Sequence, residues 1–331
     1  MLPPLSRDHE RGQILVIVAG GVITLLLLAG LVLDGGIAFL NRRDGQNAAD
    51  TAAMAGSRLI AEHYTDPAVT YSQGSIYSGI ATSVASNGCD NSGAGTPCTW
   101  TADFVNLSYA SLGPVTNSGA AFPAGTAGVQ VNVNRQPGTY FARLANIDSW
   151  NVDSSGIAVA QEPASAPPGQ LLPIALKKKT GDPYIPGQVY DLTDGKDIPG
   201  GFGYISWNGS NDPNSLATSI CTPNNPAFSL PASFPGDPGK SNSSGVRACL
   251  QSWIDNGQTV LIPIYSIVVG PGNNAVYTIT GVAAFVMTSK AQPAVDNIQG
   301  YFVEYYPYTS VPGGGQLPSE GSTSVMLSLV Q

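Results

Sequence analysis

Twenty consecutive residues without a charge, ILVIVAGGVITLLLLAGLVL at 14–33, constrain this chain more than any other feature. A helix rises about 1.5 Å per residue, so a run of this length matches the roughly 30 Å hydrocarbon core of a bilayer. The run reads as a transmembrane helix that anchors the chain by its N-terminal part.

Two alternatives to a retained anchor make distinct demands. A secretory signal peptide needs an apolar region of about 7 to 15 residues closely followed by a small-x-small cleavage site. The good match, Ala53-Met54-Ala55, lies far beyond the run. Pilin-type cleavage after Gly12 would put Ile17 where pilins carry a glutamate. The expectation is therefore a single-pass anchor that stays on the mature protein. Arg7 and Arg11 before the run are matched by Arg42 and Arg43 after it, so flanking charge does not orient it. Composition does, because the chain beyond Tyr64 is rich in Gly, Pro, Ser, Thr and Asn and holds all four cysteines, as exported domains tend to. The reading is a protein of the cytoplasmic membrane with its N-terminus inside and its C-terminal region extracytoplasmic.

Beyond the span the chain changes from large apolar side chains to small ones, QNAADTAAMAG at 46–56. Ala48, Ala49, Ala52, Ala53 and Gly56 have little side-chain volume, so a helix that carries them can approach another helix closely. They are the candidate helix-packing residues. Asp34, at the end of the span beside Gly35 and Gly36, reads as a boundary residue near headgroups and water.

ERGQ at 10–13, the apolar span, LDGG at 33–36, FLNRRD at 39–44 and QNAADTAAMAG at 46–56 occur in that order. Together they resemble the N-terminal segment of the TadE/TadG-like proteins of bacterial tight-adherence (Flp) pilus assembly. The resemblance covers about fifty of 331 residues. It implies a membrane-anchored role in pilus assembly, with the lipid bilayer and other Tad pilus-assembly proteins as partners through the N-terminal helix. Some larger members carry a von Willebrand A-type metal site that needs Asp-x-Ser-x-Ser. Here Asp153-Ser-Ser-Gly-Ile departs at the fifth position, and that activity is not implied.

The rest of the chain alternates short elements with turn residues. Asp66-Pro67 reads as a helix start, with Ile76, Ile80 and Val84 on one face and Asn87-Gly88 as the stop. Val129, Val131 and Val133 alternate with polar residues, as in a half-buried strand, and a short helix is expected around 140–144. This strand and short aromatic helix are also similar to the region that follows the anchor in TadG-like proteins. QEPASAPPGQ at 161–170 reads as a linker. Short strands are expected at 171–176, 188–192 and 202–207, and a β-hairpin from 260–269 and 275–287. Val246, Cys249, Leu250 and Trp253 share the face of a helix at 245–255, and strands follow at 301–306 and 324–330. The fold class is a membrane-anchored α+β chain, one long N-terminal transmembrane helix followed by a mainly β exported region with a few short helices. Its expected segments are 1–63, an exported α+β subdomain at 64–160, the linker at 161–170, and a β-rich subdomain at 171–331.

Charge and residue inventory exclude several function classes. Formal net charge is −8, and beyond His63 nine Lys and Arg face sixteen Asp and Glu. Such a surface repels phosphate backbones, so nucleic acid is not an expected partner. Lys177, Lys178 and Lys179 read as a blunted strand edge. The two histidines, His9 and His63, flank the anchor, which leaves the exported part without the residues of a Ser-His-Asp triad or a multi-histidine zinc site. A carboxylate-pair glycosidase needs two suitably spaced acids, and the glutamates beyond Glu62 are Glu162, Glu304 and Glu320. The acids of Asp191, Asp194 and Asp197 do not fit an EF-hand loop and read as a solvated turn. No catalytic residue, cofactor or metal site is expected.

Four cysteines allow three connectivities, which sequence alone leaves open. Cys89 and Cys98 flank a Gly-rich loop, and Cys221 and Cys249 bracket a Pro- and Ser-rich excursion, so two local bridges, Cys89 to Cys98 and Cys221 to Cys249, are the expectation. Two function classes then stand. The first is a non-enzymatic component of Flp pilus assembly or its envelope apparatus. The second is an anchored adhesive module that holds a glycan or protein on aromatics such as Trp207, Tyr305, Tyr306 and Tyr308.

Overall fold

The computed structural model describes residues 10–66, 69–89, 97–178, 185–191, 203–210, 212–237, 243–271, 274–288, 298–303, 306–307, 315–318 and 325–330. The chain opens with one helix, α1 (Glu10–Thr65), that runs through Gly35 and Gly36 without a break. At 1.5 Å per residue it is about 84 Å long. Then come α2 (Gln73–Ser86), β1 (Cys98–Val105), β2 (Ser111–Pro114), β3 (Gly128–Arg135), a 3-10 turn (Ala142–Ala145) and β4 (Val152–Gln161). The remainder holds β5 (Ser165–Ala166), β6 (Leu176–Lys177), β7 (Val189–Asp191), α3 (Pro213–Cys221), β8 (Phe228–Ser229), β9 (Ala232–Pro235) and α4 (Ser244–Asn256). It ends with β10 (Thr259–Val269), β11 (Val276–Met287), β12 (Gln299–Phe302), β13 (Tyr306–Pro307) and β14 (Met326–Val330). This is a long apolar helix followed by a mostly β region with a few short helices.

Two compact units divide the chain, and the division cuts α1, α2, β1, β3 and β4 rather than falling between them. One unit comprises residues 1–52, 81–102 and 131–156. It contains the apolar part of α1, the end of α2, and parts of β1, β3 and β4. Cys89, shortly after α2, is joined in a disulfide to Cys98, the first residue of β1. Arg135 at the end of β3 donates from Nη2 to the Asn87 carbonyl at 2.7 Å, and Asn87 donates to the Thr51 hydroxyl at 2.9 Å.

The other unit comprises residues 53–80, 103–130 and 157–331. Its first sheet has the order β13-β14-β4-β3-β1-β2. β14 returns from the far end of the chain to pair antiparallel with β4, Met326 opposite Gln161 and Val330 opposite Ile157. Its second sheet has the order β6-β10-β11-β12-β7. The β10/β11 hairpin pairs from Thr259↔Val286 to Val269↔Val276, and β9 joins β11 at Val276 to Ile279. Both faces of this hairpin are covered. Ile262, Ile264 and Phe285 pack with Leu216 and Ile220 of α3 and Val246 and Leu250 of α4, whereas Tyr265, Tyr277 and Ile279 pack with Ile205 and Phe234. Double coverage explains why VLIPIY is continuously apolar instead of alternating. Cys221, the last residue of α3, is joined to Cys249 of α4. Lys177 lies on β6, the edge strand, and Lys179 lies outside the described residues.

Several boundaries differ from the sequence expectation for local reasons. α2 starts at Gln73 rather than at Pro67, because the Ser72 hydroxyl accepts from the Ser75 N–H and supplies the cap there. The stretch before it is tied back to α1, with the Tyr71 hydroxyl donating to Glu62 and the Val69 carbonyl 3.0 Å from His63 Nδ1. The expected strands at 171–176 and 202–207 reduce to isolated bridges, Leu171 beside Leu261, Ile174 opposite Tyr204 and Ile205 opposite Gly236, and to Leu176 of β6. α3 was not expected, although Asp212 caps it and Pro213 opens it, a recognised start signal.

Candidate functional site

The buried face of α1 is the arrangement that most needs an explanation. In residues 14–29 the large apolar side chains point outward, Leu15 72% and Leu25 68% exposed. Further along, a buried stripe appears at Gly30, Asp34, Gly45, Ala48, Ala49, Ala52, Ala53, Gly56, Ser57, Ile60 and Ala61. Its spacing of three and four residues is that of one helix face. Every position of QNAADTAAMAG named above as a helix-packing candidate lies on it.

Small side chains on this stripe let other backbone come close. In the first unit, β4 runs against α1 near Gly45 to Asp50. A side chain at Gly156 would place its Cβ 2.7 Å from the Ala49 carbonyl carbon and 2.7 Å from the Asp50 nitrogen, so only glycine fits. Gln46 donates to the Ser155 carbonyl at 2.8 Å and to the Asp50 carboxylate at 2.8 Å, and the Ser154 hydroxyl donates to the Arg42 carbonyl at 3.3 Å.

In the second unit the same logic continues. A Cβ at Gly56 would lie 2.8 Å from Val129 Cγ2 and 3.0 Å from Ile80 Cγ1, so strand β3 and helix α2 both press on that position. Ser57, fully buried, donates to the Ala158 carbonyl at 2.6 Å and accepts from the Val129 N–H at 3.1 Å. Its hydroxyl therefore satisfies one strand donor and one strand acceptor in the interior, where each would otherwise carry a desolvation cost of about 1–3 kcal/mol. Tyr64 donates to the Thr126 carbonyl at 2.9 Å. The face expected to pack on another helix meets this chain's own strands and also its helix α2, where Gly56 faces Ile80 and Leu59 faces Gly79.

Asp34 behaves differently from the headgroup-facing acid expected of it. Its side chain is buried and accepts the N–H groups of Tyr140 at 2.8 Å, Phe141 at 3.0 Å and Ala142 at 2.7 Å. These are the free donors at the start of the 3-10 turn, and a carboxylate is a strong acceptor for such a set. Phe141 sits on Gly30, where a Cβ would fall 2.3 Å from the ring. Sequence reading missed this clasp because its two halves lie more than a hundred residues apart; the one local signal was an acid on the buried face of an apolar helix.

The other sequence candidates are placed as follows. His63 is held structurally, its ring edge-on to Phe122 at 4.8 Å. Asp153 lies on β4 and accepts from Asn134 at 2.6 Å. Trp207 is half-buried and packs edge-on against Phe234 at 5.0 Å, so it belongs to the interior rather than to an open aromatic platform. Asp194, Asp197, Glu304, Tyr305, Tyr308 and Glu320 lie outside the described residues. A groove of about 430 Å³ on the first unit is lined by Thr99, Trp100, Asn132, Asn134, Asp153 and Ser155, among others.

Residues 12–61 are similar to the family described as "Putative Flp pilus-assembly TadE/G-like". The match takes in the apolar span and the stripe as far as Ala61. No curated protein and no solved structure matches the chain.

Proposed function

We propose that this protein is a non-enzymatic, membrane-anchored component of Flp pilus assembly or its envelope apparatus, with residues 14–33 in the cytoplasmic membrane, the N-terminus inside and the remainder outside. The observation that carries this reading is the TadE/G-like match over residues 12–61, which coincides with a helix apolar and exposed in one half and tightly packed in the other. The two disulfides support the outward placement, since such bonds persist in oxidising compartments. We also retain 64–160 and 171–331 as the exported parts joined at 161–170.

Other Tad proteins are the proposed partners. Because Ala48, Ala49, Ala52, Ala53 and Gly56 are engaged within the chain, their proposed part in assembly is to let the exported strands pack closely on α1. The exposed apolar half of α1 is the surface left for partner helices in the bilayer. Deleting the gene should abolish surface pili, and complementation should restore them. Replacing Ala49, Ala52 and Gly56 together with Leu should leave membrane insertion intact and fail to complement. Normal piliation in the deletion strain would refute the assembly role.

A second reading, an anchored adhesive module, draws support from the groove beside Trp100, where an aromatic stands among amides and hydroxyls. Glycan binding lost in Trp100→Ala, with piliation unchanged, would favour it.

A further inference from the structure

We infer that residues 138–150 form a second membrane contact, a short loop that Asp34 holds against α1 so that Tyr140 and Leu144 enter the headgroup region of the bilayer. This inference rests on the reading that residues 14–33 lie in a bilayer.

Depth is the first argument. Phe141 packs on Gly30, which belongs to the uncharged run and lies four residues, about 6 Å, before Asp34 along the helix. The loop therefore overlaps the apolar span instead of standing clear of it.

Exposure is the second. Tyr140 is 73% exposed and Leu144 79%, and Ile147 is 41% exposed in the same short segment. Large apolar side chains on a loop have no reason to face water when the neighbouring surface is lipid, and a tyrosine with an apolar body and polar tip suits the membrane interface. Arg143 and Asp148, also exposed, form an ion pair at 3.1 Å that can face the headgroups.

Backbone satisfaction is the third. Irregular backbone near lipid needs its polar groups bonded internally. Asp34 takes the N–H groups of Tyr140, Phe141 and Ala142, while Leu144 bonds the Phe141 carbonyl and Asn146 that of Arg143. Ile147 donates to Ala142, Thr139 to Asp148 and Trp150 to Pro137, and the Thr139 hydroxyl donates to the Ile147 carbonyl. An ordinary solvent loop leaves such groups to water; this one closes on itself and on one buried carboxylate.

The test uses the full chain in vesicles of phosphatidylethanolamine and phosphatidylglycerol, with a nitroxide label on a single added thiol. The four native cysteines are bonded in pairs, so the added one reacts alone. Labels at Leu144→Cys, Leu26→Cys and Ser111→Cys are compared for access to oxygen, which concentrates in lipid, and to a nickel chelate, which stays in water. The expected result is an oxygen-to-nickel ratio at 144 several-fold above that at 111 and below that at 26, falling to the level at 111 when Asp34→Ala is added. A ratio at 144 equal to that at 111, with 26 deep in lipid, would overturn the inference and leave the anchor standing. A label at 144 shielded from both probes, as at a protein contact, would also overturn it, as would a ratio unmoved by Asp34→Ala. A label at 26 open to nickel would sink the anchor reading and this inference together.

Discussion

The two halves of α1 present opposite surfaces. Residues 14–29 carry large apolar side chains that stay exposed, and residues 45–61 carry mostly small ones that are buried. Hydrophobicity and burial thus part company within one helix. In the first half the apolar surface calls for a solvent other than water, and in the second the absence of side-chain volume calls for close backbone. A helix of uniform core character would show large apolar residues buried throughout.

Breaking the first half should have the largest effect. Leu26→Arg with Leu27→Arg puts two charges near the middle of the span, each costing about 2.5–3.5 kcal/mol for insertion. Membrane fractionation should show the protein lost from the bilayer, and Cys89, Cys98, Cys221 and Cys249 should be found as free thiols, because the C-terminal part then stays in the reducing cytoplasm. Both disulfides formed in protein lost from the bilayer would contradict export through the anchor.

Next comes Gly156→Leu. Its Cβ meets the backbone of Ala49 and Asp50, which cannot turn aside as a side chain can, so the strand must lift from the helix. We expect a destabilisation of roughly 3 kcal/mol or more, read as lowered thermal stability in detergent. A variant as stable as wild type would contradict the close packing.

Ser57→Ala is smaller. It strands the Val129 N–H and removes a bond to Ala158, for a loss of about 1–3 kcal/mol in denaturant unfolding. Arg58→Ala, one residue along but on the exposed side, breaks the ion pair with Glu62 and should cost less, at most about 1 kcal/mol. Equal effects from these neighbours would mean that the stripe is not the buried face.

What could be read from sequence was local. The uncharged run, the alternation of Val129, Val131 and Val133, and the β10/β11 hairpin show themselves within a few residues, because helix and strand periods are short. Pairing of β14 with β4 joins Leu327 to Ala160 across about half of the chain, and no local pattern records it. The Asp34 clasp is hidden for the same reason. The stripe was visible as a run of small residues, but its occupant was not, since small side chains accept a helix or a strand equally well. β1 was not expected, although CTWTADF has polar residues at alternate positions.

The central claim is that the small-residue face of α1 is filled by this chain's own sheet, and Gly45 with Ser154 tests it most directly. A Cβ at 45 would stand 3.4 Å from the Ser154 Cβ, close to the separation that a disulfide spans. In full-length Gly45→Cys/Ser154→Cys protein extracted from membranes, the account predicts a bridge within one molecule, found by peptide mapping at monomeric mass under non-reducing conditions. Two free thiols at these positions, or a bridge only between two molecules, would contradict it.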